Sequence, residues 1–281
     1  SASGEHAEEA NTKLLKLWSN WCRNPDVTGE LDFYSAQRLA CRSWLRDGEI
    51  FTQILKGSLR NLKHRTTIPL SIELIEADLV PMDYSEPEND IIQGIKKNAW
   101  GQPKTYYVYK QHPGDRSSFQ TQADLKTITA DRMIHLKTIN RVKQTRGITV
   151  FASVIVRLDD IKDIEQSERI AARVAAAMTG YIKKGTPDLY NAPADGSDYR
   201  EIDMEPGMIF DDLKPGEDIG TIISNRPNNQ LIPFRESQLR AVAAGVGSSF
   251  STVSRNYNGT YSAQRQELVE QYGVYGIAWS Q

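Results

Sequence analysis

The stretch VFASVIVRLDDIKDIEQSERIAARVAAAMTGYIK, residues 150–183, decides how this chain is read. Val150, Val154, Leu158, Ile161, Ile164, Ile170, Val174, Met178 and Ile182 mostly recur at three- and four-residue steps, the period of one helix face. No Pro or Gly interrupts before Gly180. The spacing predicts a single helix of about 50 Å at 1.5 Å per residue, well beyond the usual three turns. An amphipathic rod of that length needs something to lie against, either a partner helix or a neighbouring subunit. Asp159, Asp160, Asp163, Glu165 and Glu168 share it with Lys162, Arg169 and Arg173. Asp159–Lys162 and Glu165–Arg169 stand three and four residues apart, which reads as a solvated, pair-laced face.

Upstream, Ala7, Ala10, Leu14, Leu17, Trp18 and Trp21 form one apolar stripe, and Asn24-Pro25-Asp26 stops that helix. Asp32 is placed to cap a second helix through Tyr34, Leu39, Cys41, Trp44 and Leu45, which Asp47-Gly48 ends. Residues 49–55 read as a strand, as do the alternating residues 68–75 and the short run 91–96. Ala99-Trp100-Gly101-Gln102-Pro103 is a turn leading into a strand at 105–110, and 125–138 holds another around Met133-Ile134-His135-Leu136. Downstream, residues 185–197 form a loop rich in Gly, Pro, Asn and Asp. Glu205-Pro206-Gly207 and Lys214-Pro215-Gly216-Glu217 are turns flanking Met208-Ile209-Phe210. A helix is expected at 234–246, a further turn at 250–253, and a last helix capped by Ser262 through Leu268, Val269 and Tyr272.

The composition is that of an ordinary globular chain: 39% hydrophobic, 25% charged and a net charge of −2 over 281 residues. It excludes disordered, collagen-like and coiled-coil classes. No apolar run approaches the roughly 20 residues of a membrane span, and no signal-peptide pattern is present. The balance hides two biased segments. Residues 104–146 carry nine basic residues against three acids, and residues 195–218 carry nine acids against two basic residues. They read either as two solvated surfaces that balance each other or as faces that meet between copies of the chain.

Chemistry-bearing motifs are few. There is no Walker loop, dinucleotide fingerprint or Gly-x-Ser-x-Gly. Gly245-Val246-Gly247-Ser248-Ser249 follows a helix, so it reads as a helix end and a tight turn rather than a phosphate loop. Cys22 and Cys41 match no metal or redox spacing; they read as reduced thiols, with a single disulfide as the alternative. His6, His64, His112 and His135 are scattered. A metal site could be imagined from His112, Asp115, Asp131 and His135, but their spacing does not demand it. Composition and spacing therefore indicate an α+β assembly protein with no catalytic, cofactor-binding or metal-binding residue assigned.

Several pieces, in order, carry a resemblance. They are Asp47-Gly48-Glu49-Ile50-Phe51, Leu74-Ile75-Glu76-Ala77-Asp78, Gly94-Ile95-Lys96 through Gly101-Gln102-Pro103, Tyr106-Tyr107-Val108 and His112-Pro113-Gly114-Asp115. Met133-Ile134-His135-Leu136, Gln144-Thr145-Arg146-Gly147 and Lys214-Pro215-Gly216-Glu217 follow. So do residues 233–247 (PFRESQLRAVAAGVG), Ser254-Arg255-Asn256-Tyr257 and Tyr261-Ser262-Ala263-Gln264-Arg265. Together they resemble the lambda-type family of tailed-phage portal proteins.

The resemblance implies a portal-type fold with wing, long stem helix and small β-rich clip. By analogy the wing spans 1–103, a clip-like β region 104–146, the stem helix 147–184, a second wing β layer 185–233, and a wing helix with the start of the tunnel helix 234–281. It implies a ring, usually of twelve identical subunits, at one capsid vertex, through which double-stranded DNA is packaged and ejected without sequence readout. Implied partners are the terminase large subunit, head-completion and tail connector proteins, and capsid and scaffold proteins, with no membrane and no cofactor. The implied location is the virion, and the host cytoplasm during assembly. The carboxylates on the long helix would then suit a wall from which DNA slides, since affinity rises with each phosphate neutralised. Family members are longer at both ends, so the chain reads as a fragment lacking an N-terminal segment and the C-terminal tunnel and crown part. The alternatives are a metal-dependent DNA-processing enzyme and a capsid or tail adaptor.

Overall fold

Two short sheets share one core in the first half of the chain. The computed structural model describes residues 4–115, 125–177, 181–184, 217–220 and 230–279. These fall into two compact units, residues 1–153 with 275–281, and residues 154–274.

The first unit opens with α1 (Gly4–Cys22) and α2 (Phe33–Asp47). Trp18 and Trp21 lie within 5.3 Å of the Phe33 ring, centroid to centroid, and Trp21 Nε1 donates to the Leu70 carbonyl at 2.9 Å. Asp32 caps α2 as its position implied: Oδ1 accepts from Ser35 N at 2.6 Å. Gly48, at φ 84°, closes it by donating to Trp44 O. Cys22 is buried, Cys41 is exposed, and both are free thiols.

β1 (Glu49–Lys56) is the centre of an antiparallel sheet in the order β2–β1–β7, with β2 at Leu70–Ile75 and β7 at Met133–Lys137. The second sheet is an antiparallel meander of β3 (Ile91–Ile92), β4 (Ile95–Lys97), β5 (Pro103–Tyr109) and β6 (Leu125–Thr129). Alternation along the strands turns Phe51, Ile75 and Met133 of one sheet and Ile95, Tyr106, Val108 and Ile128 of the other into a single buried cluster with Val80.

Three local expectations change here. The strand expected at 91–96 is a hairpin, because Gln93 and Gly94 both sit at positive φ, as a two-residue turn with right-handed twist requires. The strand region 125–138 is two strands separated by a 3-10 turn at Ala130–Arg132. The division expected at 103/104 has no counterpart in the packing: β5 begins at Pro103 and pairs with both β4 and β6.

In the second unit, α3 (Ile155–Ala177) has 23 residues, roughly 35 Å, and is shorter than the rod the sequence suggested. Residues 150–153 form a tighter 3-10 turn, in which Phe151 N is held by the Thr149 hydroxyl and Ala152 N by the Thr149 carbonyl. At the other end Tyr181–Lys184 is a strand, β8, paired antiparallel with β9 (Glu217–Gly220). This register sets Lys183 opposite Asp218 and Lys184 opposite Glu217. The expected loop at 185–197 and the turns and strand at 205–216 lie outside the described residues.

α4 (Leu231–Val246) packs on α3. Arg157 donates to Gln238 at 3.0 Å, and Arg235 pairs with Glu165 at 2.5 Å. Gly247, at φ 68°, ends α4: its N–H reaches Ala244 O while Ser248 N reaches Ala243 O, the paired bonds of a Schellman turn. The glycine-rich stretch is therefore a helix end. Ser249 caps α5 (Phe250–Ser254) by accepting from Thr252 N. The last helix, α6 (Tyr261–Trp279), begins two residues earlier than expected, and Thr260, not Ser262, receives the N–H of Ala263. Glu267 accepts from Ser251 N and Oγ, and Gln271 accepts from Ser249 and Thr252, which binds α6 to α5.

Candidate functional site

Two features stand out: a buried charged hub in the first unit and helices with uncovered apolar residues in the second. The hub is built on a close crossing of two backbones. A Cβ on Gly147 would lie 2.6 Å from the Gly48 carbonyl carbon and 2.7 Å from Glu49 Cβ, and one on Gly48 would lie 2.6 Å from Ile148 N. Only glycine allows this approach at either position. The crossing delivers the Gly147 N–H to Glu49 Oε2 at 2.7 Å.

Glu49 (2% exposed) and Arg146 (4% exposed) then pair through Oε1 and Nε at 2.6 Å. The remaining guanidinium nitrogens are committed to backbone: Nη1 donates to Val80 O (2.9 Å) and Gln93 O (3.1 Å), and Nη2 to Ala77 O (3.0 Å). Arg146 also lies 5.5 Å from the Phe51 ring centroid. His135 stacks on Phe51 at 4.2 Å and donates Nε2–H to Glu49 Oε2 at 2.9 Å. That tautomer follows because an ionised carboxylate only accepts. Burial pushes the Glu49 carboxyl up, but His135, Arg146 and the Gly147 N–H together outweigh it and hold it below the ordinary range. Burial dominates at His135 and keeps the imidazole neutral, below its ordinary value. Tyr106, edge-on to His135, is pushed up to about 12 by burial and the Glu49 charge.

Gln144 shapes the loop that carries Arg146. Its Oε1 accepts from Asn140 N and Arg141 N, and its Nε2 donates to Thr138 O and Arg146 O. The hub thus ties β1, β7, the 77–93 region and the 138–147 loop by charge-assisted bonds. Its charges are paired and out of reach of solvent, so it anchors structure rather than performing chemistry. Sequence reading did not single out Glu49 and Arg146, which are 97 residues apart. The glycine beside each was the available signal.

The imagined metal set is spread over different surroundings. His112 sits 3.6 Å from Glu76 and 3.9 Å from Asp78, with Nδ1 accepting from Gly114 N. His135 belongs to the hub, Asp131 lies beside Arg132 in the turn after β6, and Asp115 ends a 3-10 turn. Among the described residues no group of three or more His, Cys, Asp or Glu is placed to hold a metal ion. His64 bridges Ser71 Oγ and Gly57 O within the first unit.

On α3, Ile155 and Val156 (71% exposed) stand in solvent, with Leu158 and Ile170 also exposed. On α6, Tyr261 (77% exposed), Leu268, Val269 and Tyr272 do the same. The partly buried positions of α3 are Ile161, Ile164, Glu165, Glu168 and Ala171, and α3 packs against α4. No described helix is long and apolar enough to cross a membrane.

The family model described as phage portal protein, lambda family, matches residues 1–277. A probable portal protein of Halomonas phage phiHAP-1 is 24% identical over 288 positions, covering 98% of this chain and 54% of that protein. Portal protein B of Escherichia phage lambda is 25% identical over 198 positions, covering 63% of this chain and 34% of the lambda protein. The chain spans about half the length of the first relative and about a third of the second. Among solved structures, the neck of an empty gene transfer agent particle computed with C6 symmetry matches with TM-score 0.56 at 13% identity, over 86% of this chain and 60% of that one. The neck of the native particle computed with C12 symmetry matches with TM-score 0.54 at 10% identity, over 86% and 61%. At these identities the likeness is one of fold.

Proposed function

The chain belongs to the lambda family of phage portal proteins, and we propose on that footing that it is a subunit of a head–tail connector ring with a structural role and no catalysis of its own. Twelve copies close a cyclic ring at one capsid vertex, and double-stranded DNA passes through its channel during packaging and ejection. The terminase large subunit docks on it first, head-completion and tail proteins dock later, and capsid and scaffold proteins surround it. It acts in the virion and, during assembly, in the host cytoplasm. The observation that carries this reading is the family match along residues 1–277.

The physics supports it. Exposed apolar residues on α3 and α6 are what a closed ring would cover, because each copy in such a ring presents two different faces to its neighbours. A net charge of −2 suits a wall that DNA passes without gripping, since binding strengthens with each phosphate neutralised. We assign the wing and the clip to residues 1–153, the stem to α3, and the start of the tunnel helix to α6. Electron microscopy of the full-length protein tests the proposal. Rings with a central hole are expected, and a protein that stays monomeric at every concentration and salt would refute it.

A further inference from the structure

Two exposed helix faces, one on α2 and one on α3, carry opposite charges at the same spacing. On α2, steps of three and four residues bring Tyr34, Arg38, Cys41, Arg42 and Leu45 to one side, and all five are exposed. Ala36 and Ser43 mark the opposite, buried side. Arg38 donates to the Ser35 hydroxyl at 3.2 Å, and among the described residues neither it nor Arg42 forms an ion pair. Arg46 differs, because Asp47 at 2.7 Å and Glu76 at 3.7 Å already take up its charge. The face therefore offers one guanidinium on each of two successive turns, between the Tyr34 ring and the Leu45 side chain.

On α3 the exposed side holds Ile155, Val156, Asp159, Asp160, Asp163 and Ile170. Asp159 reaches Lys162 at 3.4 Å, and among the described residues Asp160 and Asp163 form no ion pair. The other side of α3 is the one used within the unit: Ile161, Ile164 and Glu165 are half-buried, and Glu165 pairs with Arg235 of α4. An open groove runs along the start of α3, lined by both apolar and acidic side chains, among them Ile155, Val156, Asp159 and Asp160.

Each row of like charges is slightly unfavourable alone, since equal charges four residues apart repel. Laid together, the rows neutralise each other. Arg38 to Arg42 and Asp159 to Asp163 are both four-residue steps, about 6 Å along a helix. In the commonest helix packing the four-residue ridges of both helices interdigitate, which sets Tyr34–Arg38–Arg42 beside Ile155–Asp159–Asp163. The guanidiniums would suit phosphate too, but Tyr34, Cys41 and Leu45 between them add nothing to a phosphate track. Tyrosine with arginine is instead the mixture enriched in protein interfaces.

α2 belongs to the first unit and α3 to the second. A contact between copies through these faces thus joins two different patches, the head-to-tail kind that closes into a ring. We infer that the Tyr34–Arg38–Arg42–Leu45 face of α2 docks on the Ile155–Asp159–Asp163 face of α3 in a second copy of this chain. This rests on the ring reading above and names the surfaces that the ring joins.

The test uses the full-length protein and follows ring and protomer by mass photometry at about 0.1 M and about 1 M salt, where the Debye length is about 10 Å and about 3 Å. Arg38→Glu/Arg42→Glu and Asp159→Arg/Asp163→Arg should each raise the protein concentration for half-assembly at the lower salt by at least about tenfold. The protomer melting temperature should change little, because all four side chains are exposed. Each variant alone sets like charges against each other at every joint. An equimolar mixture of the two pairs Glu with Arg at one joint and Arg with Asp at the next, so it should restore rings in which the variants alternate. If a reversal fails to fold, Arg38→Gln/Arg42→Gln should weaken assembly in the same direction and flatten its salt dependence.

Rings unaffected by either reversal, or by the glutamine variant where that takes its place, would overturn the inference and leave the portal reading standing. So would a mixture that stays unassembled while one chain carrying all four changes forms rings, which would place the contact within a copy. Intact Arg38→Glu/Arg42→Glu rings that lose a labelled DNA duplex would also overturn it and assign the arginines to phosphate. A wild type that never forms rings would refute the portal reading and this inference with it.

Discussion

Replacing Arg146 by Met should unfold the first unit far more easily than any surface change. The side chain gives Glu49 its charged partner and satisfies the carbonyls of Ala77, Val80 and Gln93. Met fills a similar volume but leaves a buried carboxylate without a counter-charge, and losing one partner of a buried pair costs about 3–5 kcal/mol. For a unit of this size each kcal/mol lowers the melting temperature by about 2–4 °C, so a fall of about 6–20 °C is expected. All five tryptophans belong to the first unit, so their fluorescence in a urea titration reports that unit's transition. Glu49→Gln keeps an acceptor for the Gly147 N–H, and its loss should be smaller, about 2–3 kcal/mol. In the double variant neither charge is stranded. The cost of the double variant should then fall short of the sum of the two single costs by about 1–3 kcal/mol. A cost for Arg146→Met below about 1 kcal/mol, or strict additivity in the cycle, would refute the reasoning that the pair anchors the unit.

Acid should weaken the same unit in two stages. His135 is depressed below its ordinary 6.5, so its contribution is complete above that pH and is lost as the pH falls toward its folded value. Glu49 is depressed below its ordinary 4.5, so its contribution is complete above that value and disappears as the pH falls through the lower folded value. Urea midpoints measured from pH 8 to pH 3 should fall in that order, and His135→Gln should remove the upper stage. Gly147→Ala should destabilise by about 1–3 kcal/mol or more, because the new methyl meets backbone that can yield only by parting the crossing; an unchanged urea midpoint would contradict that. Ile155→Asp with Val156→Asp should leave protomer stability within about 0.5 kcal/mol, as for exposed positions, yet lower the yield of rings in size-exclusion chromatography.

Local signals in the sequence determined many of the elements. Asp32 and Gly48 bound α2 because a carboxylate can take the orphan N–H of Ser35 and a glycine can turn left-handed after the last turn. Alternation placed β1 and β2, and Gly247 marked the end of α4, for equally local reasons. The ordered fragments from residue 47 to residue 265 also carried the resemblance to the portal family. Periodicity overran at 150–183, since an apolar spacing does not tell a 3-10 turn or a strand from a continued helix when a partner strand is distant in sequence. It also merged β3 with β4, because the turn depends on positive φ at Gln93 as well as at Gly94.

The hub was beyond reach for a different reason. Glu49, His135 and Arg146 are ordinary residues in their own neighbourhoods, and only the crossing of Gly48 with Gly147 and the pairing of β1 with β7 bring their charges within bonding distance in a space without water. The same holds for the net charge of the 104–146 segment. The sequence determined its sign, whereas the tertiary structure brought Lys137 of that segment and Lys97, which lies outside it, to one loop, because both ammonium groups bond to Thr145 although β7 and β4 stand in different sheets.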